Sequence, residues 1–405
     1  MARGAVDHRR PAPAVAMRVA ARFGALSPAA FLREHWQKRP LLVRQALPGF
    51  AGIIDRDRFL QLATRADCRS RLVIHHPRRR RDRWERHDGP FGGLDARMLP
   101  ARHWTLLVNG VESLVPGGWE ILRAFSMIPA ARVDDLMVSY AADGGSVGPH
   151  DDLYDVFLLQ GPGRRRWQVS SQRDRRLDPD ASIKVLRSFV PEEEWVLEPG
   201  DMLYLPPGVA HRGVAEGPCF TYSIGFLAPT HAELVEGFLG YLGAVLGGRR
   251  DPDALYRDAD LKPPRDALQI DAAMVERVAA ILGEGHWDQR HDRSLVADFL
   301  GRFLTRPKPY QVFARPARPL SESAFARRLR DRRGRLTLAL PSRGLARGAR
   351  VFLNGEAYAP GRAGVALFKE LARERSARLP VGASVGRRMV EAMYGWYVAG
   401  QVHLG

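Results

Sequence analysis

The 405-residue sequence predicts a mainly β protein with helices, in which a double-stranded β-helix barrel precedes a helical segment and a small winged-helix-like domain. Short apolar segments separated by Gly and Pro turns fill the first part of the chain, and they are typical of barrel strands. After Pro229 the apolar residues follow a helical period, and after Arg306 several prolines mark a linker. The length favours two or three domains.

The N-terminal part of the chain predicts a tail, a helix and a strand in that order. Residues 1–24 are rich in Arg, Ala and Pro, lack the apolar core of a secretory signal, and are interpreted as a disordered basic tail. The Ser-Pro pair at 27–28 is a helix start signal, so a helix is expected through 31–36. A first strand is expected at 38–43. The dense His and Arg run at 75–87 predicts an exposed loop between strands.

The barrel is assigned to residues 25–230 because apolar residues alternate or run together in several short segments there. Strands are expected at 104–109, 136–140, 155–160, 202–205 and 221–226. Side chains of a strand alternate between its two faces, so 221–226 should direct its aromatic and aliphatic residues to one face.

The second half of the chain predicts helices and then a compact mixed unit. Helical periodicity at 232–246 and 272–282 indicates a helical segment, assigned to 231–304. Residues 305–405 contain short strands and a helix and predict a basic winged-helix-like domain.

Charge is distributed unevenly along the chain. The formal net charge is +17, and residues 305–405 alone contain 20 Lys and Arg against 6 Asp and Glu, which contributes +14. A cationic domain attracts RNA phosphates in a salt-sensitive way, so ribosomal RNA is one predicted partner. A solvated surface without a partner is the alternative.

Cysteine usage and hydropathy bear on the compartment. The chain has only two cysteines, Cys68 and Cys219, and no apolar stretch long enough to span a bilayer. Both features predict a reducing environment without membrane insertion, which favours the cytoplasm.

Metal-ligand chemistry is concentrated at His150 and Asp152. Two residues apart on an extended segment, these side chains point the same way and can share one metal ion. His211 follows a similar turn at 206–208 and can supply a third ligand. Two His and one carboxylate leave one side of a metal open, as in non-haem Fe(II) oxygenases. A second His-x-Asp motif at 286–288 lacks this context.

Residues 134–167 and 199–226 resemble the JmjC-type (cupin) ribosomal oxygenases, most closely their bacterial arginine-hydroxylase branch. The resemblance extends from about residue 25 to the C-terminus. It implies Fe(II) bound by His150, Asp152 and His211, and the cosubstrate 2-oxoglutarate bound by Ser139 and Arg165.

Arg165 suits this role chemically, because a carboxylate is best held by a planar, always-charged bidentate donor. Spacing alone does not choose Arg165 from its neighbours Arg164 and Arg166. The family pattern selects the middle arginine, and the other two are expected on the opposite face as solvated strand charges.

The resemblance also implies a substrate and an assembly. Family members hydroxylate an arginine or a histidine of a ribosomal protein, and the branch resembled here acts on an arginine of the sixteenth large-subunit protein. In the family the helical segment forms a homodimer; packing of these helices on the barrel of the same chain is the alternative. A guanidinium pocket needs a carboxylate and a flat or soft wall, which Asp135, Met137 and Tyr154 can offer. Alternatively, Met137 and Tyr154 are core residues and Asp135 a turn residue.

Two other classes of protein share some of these features. Another metal-dependent cupin enzyme, an isomerase or dioxygenase, has similar ligands but no need for Arg165 or a basic C-terminal domain. A non-enzymatic RNA-binding protein explains the charge but leaves the two histidines and the aspartate unexplained.

Overall fold

A computed structural model describes residues 20–77, 83–93, 99–247, 272–283, 293–331, 334–379 and 386–405. Residues 1–19 of the predicted tail and the second His-x-Asp motif at 286–288 lie outside the described residues. Ala21 and Phe23, which the predicted tail included, are buried in the core of the barrel. The packed chain therefore begins before residue 25.

The elements follow one another along the chain in three groups. The first group comprises α1 (Pro28–Glu34), β1 (Leu41–Val43), α2 (Arg56–Leu62), β2 (Arg69–His76), β3 (Arg83–Asp88), β4 (Trp104–Asn109), α3 (Gly117–Ala124), β5 (Val133–Ala141), β6 (Val156–Gln160), β7 (Arg164–Ser170), β8 (Glu193–Leu197), β9 (Met202–Leu205), β10 (Ala210–Glu216) and β11 (Cys219–Phe226). The second comprises α4 (His231–Gly247), α5 (Ala272–Gly283) and α6 (Arg293–Thr305). The third comprises α7 (Glu322–Arg330), β12 (Leu336–Leu338), β13 (Gly344–Arg347), β14 (Arg350–Leu353), β15 (Glu356–Tyr358), α8 (Gly361–Glu374), β16 (Ser376–Ala377), α9 (Arg387–Val398) and β17 (Val402–Leu404).

Strands β1 to β11 form two facing antiparallel sheets. The larger sheet has eight strands in the order β1-β9-β6-β11-β5-β4-β2-β3, and the smaller has three in the order β10-β7-β8. Strands β9, β6 and β11 of the larger sheet and β10 and β7 of the smaller sheet pair with strands that are distant in sequence, which is the connectivity of a double-stranded β-helix. The predicted fold class is thereby confirmed.

Side chains of β11 alternate between two environments: the main hydrophobic core under the helices, and the space between the two sheets, hereafter the inner face. Tyr222, Ile224 and Phe226 are almost fully buried in the main hydrophobic core, beneath the helices. Thr221 and Ser223 alternate with them and face the smaller sheet, because successive side chains of a strand point to opposite faces. The inner face of the barrel is therefore partly polar.

Helix α1 begins as predicted. The Ser27 hydroxyl accepts a hydrogen bond from the Ala30 backbone N–H, and Pro28 occupies the first helical position. Phe31 is fully buried and packs edge-on against Tyr204 of β9, with ring centroids 5.0 Å apart. The cap fixes the start of α1, and the aromatic contact packs α1 against β9 of the barrel.

The predicted loop at residues 75–87 is wrong at both ends, because β2 and β3 extend into it as a hairpin. His75 is buried and stacks on Trp84 with ring centroids 3.9 Å apart. Arg86 is exposed and pairs with Asp88 at 2.9 Å. The described ends of this run are therefore strand residues, while residues 78–82 lie outside the described residues.

The C-terminal unit has its own core. Phe325 of α7, Phe368 of α8 and Trp396 of α9 are buried together against two small antiparallel sheets, β16-β12-β17 and β13-β14-β15. Helix α6 packs on β13, β14 and β15, although the sequence placed it in the helical segment. Among the described residues no helix is both long and apolar enough to cross a membrane.

The C-terminal unit is tied to the barrel by buried polar contacts. Arg343 donates to the Glu112 carboxylate at 3.1 Å and to the Val133 carbonyl at 3.0 Å. The Trp119 indole donates to the Leu340 carbonyl at 2.9 Å, and the Arg375 guanidinium lies 4.1 Å from the centre of the Trp119 ring. These contacts order the two units relative to each other.

We expect Arg343→Met to destabilise the protein by about 3 kcal/mol, because it leaves the buried Glu112 charge without its partner. Burial raises the pKa of Glu112, and Arg343 opposes that rise. In the variant the folded state therefore holds a proton that the unfolded chain releases above its ordinary pKa of 4.5. Stability should fall as pH rises from that value.

Urea unfolding between about pH 5 and 8 measures this effect. Arg347→Met, at an exposed arginine of β13, is the matched control and should change stability little. Equal stability of the Arg343 variant and the parent protein would show that the pair adds nothing.

Candidate metal centre

The two candidate histidines are direct cross-strand neighbours. His150 donates its backbone N–H to the His211 carbonyl at 3.0 Å, and His211 returns the bond at 2.8 Å. His150 stands just before β6 and His211 stands near the start of β10. The backbone pairing of the two sheets therefore sets the distance between the imidazoles.

His150, Asp152 and His211, hereafter the ligand triad, converge on one point. The imidazole centroids lie 4.3 Å apart, and the His211 Nε2 atom lies 3.8 Å from an Asp152 carboxylate oxygen. One ligand atom from each residue falls within 4.8 Å of the others. Within the ranges that the structure describes, this is the one His, Cys, Asp and Glu group that could hold a metal ion.

The second ring nitrogens orient both imidazoles toward that point. The Nδ1 atom of His150 lies 3.0 Å from the Gly148 carbonyl, and that of His211 lies 2.9 Å from the Val209 carbonyl. A carbonyl only accepts, so Nδ1 carries the proton and Nε2 keeps its lone pair for a metal.

Protonation of His211 is also disfavoured. Burial and the neighbouring His150 imidazole lower its pKa to about 4, against the opposing effect of Asp152. A neutral imidazole beside a carboxylate is the state that metal binding requires. The donor set of the ligand triad therefore fits a divalent transition metal with an open face.

Arg165 lies on the inner face of β7 and is only 3% exposed. Its guanidinium donates to the Thr221 hydroxyl at 3.4 Å and to the Gly213 carbonyl at 3.3 Å. The Nε–H has no partner, and no carboxylate among the described residues pairs with this side chain. A buried charge without a counter-charge is costly, so the site is suited to an anionic ligand.

The arginines on either side behave differently. Arg164 pairs with Glu216 at 3.2 Å, and Arg166 forms short ion pairs with Glu194 and Glu216 on the outer face. The predicted alternation is thus present, with Arg165 alone directed inward. Burial lowers the pKa of Arg165, in keeping with its missing counter-charge.

Ser139 lies on β5, directly across from Thr221 of β11. Its side chain is 5% exposed and shares the inner face with Asp135 and Met137. The Ser139 hydroxyl has no hydrogen-bond partner among the described residues. It is therefore free to bond a ligand inside the barrel.

The three predicted pocket residues lie near one another. Asp135 is 6% exposed and accepts hydrogen bonds from Asn109 Nδ2 at 3.1 Å and the Gly110 N–H at 3.2 Å. Tyr154 is 40% exposed, and its ring lies on the other side of Gly225 from the Asp135 carboxylate, since a Cβ added at Gly225 would lie 3.5 Å from Asp135 Oδ1 and 3.9 Å from the Tyr154 ring. Partial burial and the carboxylates of Asp152 and Asp135 raise the pKa of its phenol. Met137 packs on a small hydrophobic cluster.

Sequence reasoning missed four residues around this site. Thr221 was visible as a polar residue in the alternation of β11, whereas Asn109 had no signal beyond its place at a strand end. Lys308 and Tyr310 come from the linker, and nothing in the sequence indicated that they reach the barrel.

Two known domain families match the chain. The JmjC domain family matches residues 120–234, which include the ligand triad and Arg165. The ROXA-like winged helix family matches residues 288–400.

Curated relatives match about three fifths of the chain. The ribosomal protein uL16 3-hydroxylase of Escherichia coli (strain K12) is 39% identical over 246 residues, which are 59% of this chain and 62% of the relative. A probable ribosomal oxygenase of Haemophilus influenzae is 38% identical over 242 residues, 58% of this chain and 57% of the relative. The match thus spans about three fifths of each relative.

Solved structures match nearly the whole chain. The X-ray structure of E. coli ycfD has a TM-score of 0.77 at 27% identity and covers 96% of this chain and 100% of its own. A structure of E. coli YcfD, described as a ribosomal oxygenase in complex with cobalt and 2-oxoglutarate, has a TM-score of 0.73 at 28% identity and covers 94% and 98%. Both the barrel and the C-terminal unit therefore have counterparts in these structures.

Proposed function

The chain belongs to the JmjC-type ribosomal oxygenases, and from this we propose that it is an Fe(II)- and 2-oxoglutarate-dependent hydroxylase of an arginine in ribosomal protein uL16. One observation carries the proposal. The ligand triad, whose donor atoms leave one side of a metal open, and the buried guanidinium of Arg165, which has no counter-charge, lie inside the same barrel. A dicarboxylate bound to the metal at one end and to Arg165 at the other satisfies both.

Each residue has a distinct task in this proposal. The ligand triad holds Fe(II), and the bound metal with 2-oxoglutarate supplies the activation of dioxygen and the oxidation of a substrate C–H bond. Arg165 and Ser139 orient the far carboxylate of 2-oxoglutarate. The apolar cluster around Trp167 and Val169 closes the barrel behind them and excludes water.

The substrate end of the site favours a cation. Asp135 and Tyr154 offer a buried carboxylate and an aromatic wall beside the ligand triad, which suits a guanidinium group. The name of the E. coli relative supplies both the protein, uL16, and the position of the hydroxyl group, carbon 3. We propose the same protein and position here.

Mass spectrometry of uL16 after incubation with the protein, Fe(II), 2-oxoglutarate and air tests this function. The expected result is one added oxygen atom on an arginine-containing peptide, with matching succinate formation. Unmodified uL16, or oxygen on a histidine alone, would contradict the arginine assignment.

An anaerobic titration separates the rival classes. Fe(II) and 2-oxoglutarate together should produce a weak visible charge-transfer band, which neither a cupin isomerase nor an RNA-binding protein requires. Absence of the band would overturn the oxygenase proposal.

We also propose that the helical segment forms a homodimer. Apolar side chains of α4 and α5 are exposed, including Val235 and Leu239 on α4 and Val275 and Leu282 on α5. Such a face is stabilised when a second copy covers it. Leu239→Glu should therefore shift the protein from dimer to monomer in sedimentation equilibrium.

A matched control for that variant is Val190→Glu, which places the same charge at an exposed apolar residue of the barrel. The control should remain dimeric. A monomeric parent protein would contradict the proposal outright.

The basic C-terminal domain is proposed to contact ribosomal RNA. Arg327, Arg328 and Arg330 are exposed together on the last turn of α7. Replacing all three by Gln should weaken RNA binding and reduce the slope of log affinity against log salt by about 2, since each phosphate contact contributes about 0.7–0.9.

Filter binding of a ribosomal RNA fragment at several salt concentrations measures that slope. A triple Gln variant of three exposed barrel arginines, Arg22, Arg33 and Arg58, is the matched control and should keep the parent slope. Identical slopes in all proteins would show that the charge of α7 is only solvated.

We place this activity in the cytoplasm. Both cysteines, Cys68 and Cys219, are free and buried, and burial raises the pKa of the Cys68 thiol to about 12. Such thiols are stable where the environment is reducing, and ribosomal proteins are assembled in the same compartment.

A further inference from the structure

We infer that Lys308 of the interdomain linker sets the charge of the substrate pocket, so that the pocket binds one singly charged cationic side chain. This inference rests on the proposed function. Lys308 belongs to a linker segment, residues 307–311, that crosses the barrel beside Asp134 and Asp135. The Lys308 Nζ atom lies 3.0 Å from an Asp134 oxygen and 3.6 Å from Asp135 Oδ2.

The linker segment is anchored without the Lys308 amine. The Gln311 side chain donates to the Ser113 hydroxyl at 2.8 Å and accepts from the Lys308 backbone N–H at 3.0 Å. Tyr310 packs on Gly110, where an added Cβ would lie 3.2 Å from the phenol oxygen. Replacing the amine therefore changes charge without releasing the segment.

The Lys308 amine is protonated in this position. Burial acts to lower its pKa, but the carboxylates of Asp135 and Asp134 outweigh burial and raise the pKa above its ordinary value. Its side chain is 27% exposed, so water screens this interaction only in part.

Asp135 keeps one oxygen for a further partner. Asn109 and Gly110 donate to Oδ2, on the side where Lys308 approaches. No donor among the described residues contacts Oδ1. That atom faces Gly225, where an added Cβ would lie 3.5 Å from Oδ1 and 3.9 Å from the Tyr154 ring. The glycine thus leaves space for a ligand between carboxylate and ring.

The charges of the pocket leave one unit uncompensated. Asp134 and Asp135 contribute two negative charges and Lys308 one positive charge, which gives −1. The count concerns these three side chains alone: Asp88 pairs with Arg86, and Arg71, its cross-strand neighbour on β2, is the same in every protein compared below. One guanidinium neutralises the remainder, whereas a neutral histidine leaves a buried carboxylate uncompensated.

Four proteins test this charge count: the parent, Lys308→Met, Asp134→Asn and the double variant. Their pocket charges are −1, −2, 0 and −1. Affinity for full-length uL16 is measured by calorimetry with cobalt(II) and 2-oxoglutarate present, so that no turnover occurs. Lys38→Met removes an exposed lysine far from the pocket and is the matched control for loss of one charge.

Lys308→Met should bind uL16 about fivefold more tightly, which corresponds to about 1 kcal/mol. Asp134→Asn should bind about fivefold more weakly, by the same conversion. The double variant and the Lys38 control should match the parent within about twofold, because their pocket charge equals the parent's. Weaker or unchanged binding by Lys308→Met, or a double variant that does not return to the parent affinity, overturns the inference.

The proposed function can fail separately. If the four proteins show the expected order of affinity for uL16 but uL16 gains no oxygen with Fe(II) and air, the charge count is supported and the proposed hydroxylation is refuted. If uL16 is hydroxylated but the order of affinities is absent, only the role of Lys308 is refuted.

Discussion

Asp152→Ala is expected to reduce 2-oxoglutarate turnover and uL16 hydroxylation to the level of the metal-free protein, and His211→Ala should do the same. Each substitution removes one of three ligands from a site that already has an open side. Two remaining ligands cannot hold Fe(II) firmly in a position that faces both cosubstrate and substrate.

The fold should survive the loss of Asp152. Its side chain is 25% exposed and stands in a loop, while the strands on either side are held by backbone pairing. Thermal unfolding of this variant should therefore stay close to that of the parent protein. Metal content and succinate formation are the decisive measurements.

Asp151→Ala is the matched control for this experiment. Asp151 is the adjacent carboxylate, of similar exposure, but it faces Arg175 at 3.7 Å instead of the ligand triad. This variant should retain metal and turnover. Undiminished turnover in Asp152→Ala would remove that residue from the mechanism.

Arg165→Lys is expected to raise the KM for 2-oxoglutarate at least about tenfold, because losing one hydrogen bond to a charged group costs about 1.5–3 kcal/mol. An ammonium is a point charge and cannot reproduce the planar fork of a guanidinium. The kcat should change less, since the metal site is untouched. Steady-state kinetics with varied 2-oxoglutarate measures both constants.

The neighbouring Arg166→Lys is the matched control for that experiment. Arg166 belongs to the same strand but faces outward and pairs with Glu194 and Glu216. Its replacement should leave the KM for 2-oxoglutarate unchanged. If the two variants behaved alike, another cation would have to bind the cosubstrate.

A large part of this fold could be predicted because local patterns determine where side chains point. Period-two alternation in 221–226 assigned Tyr222, Ile224 and Phe226 to the core, and the structure buries all three. The Ser27 cap lies where the sequence placed it. The His-x-Asp spacing likewise predicted that His150 and Asp152 point the same way.

Local patterns were insufficient where burial depends on a distant partner. Residues 75–87 had the composition of a loop, yet β3 forms there, and its Trp84 ring stacks on His75 of β2. The assignment of α6 to the helical segment had the same weakness. Nothing in the sequence separated it from residues 231–292, because its packing partners β13, β14 and β15 come later in the chain.

The sequence by itself determined the barrel and the alternation that separates Arg165 from Arg164 and Arg166, and the resemblance to a family selected Arg165 and the candidate ligand triad. Only the tertiary structure decided which elements meet: Arg343 reaches Glu112 across 231 residues of chain, and Lys308 reaches Asp134 from the linker. The physical reason is that a side chain's direction follows from backbone period over a few residues, whereas its partner is chosen by the packing free energy of whole domains.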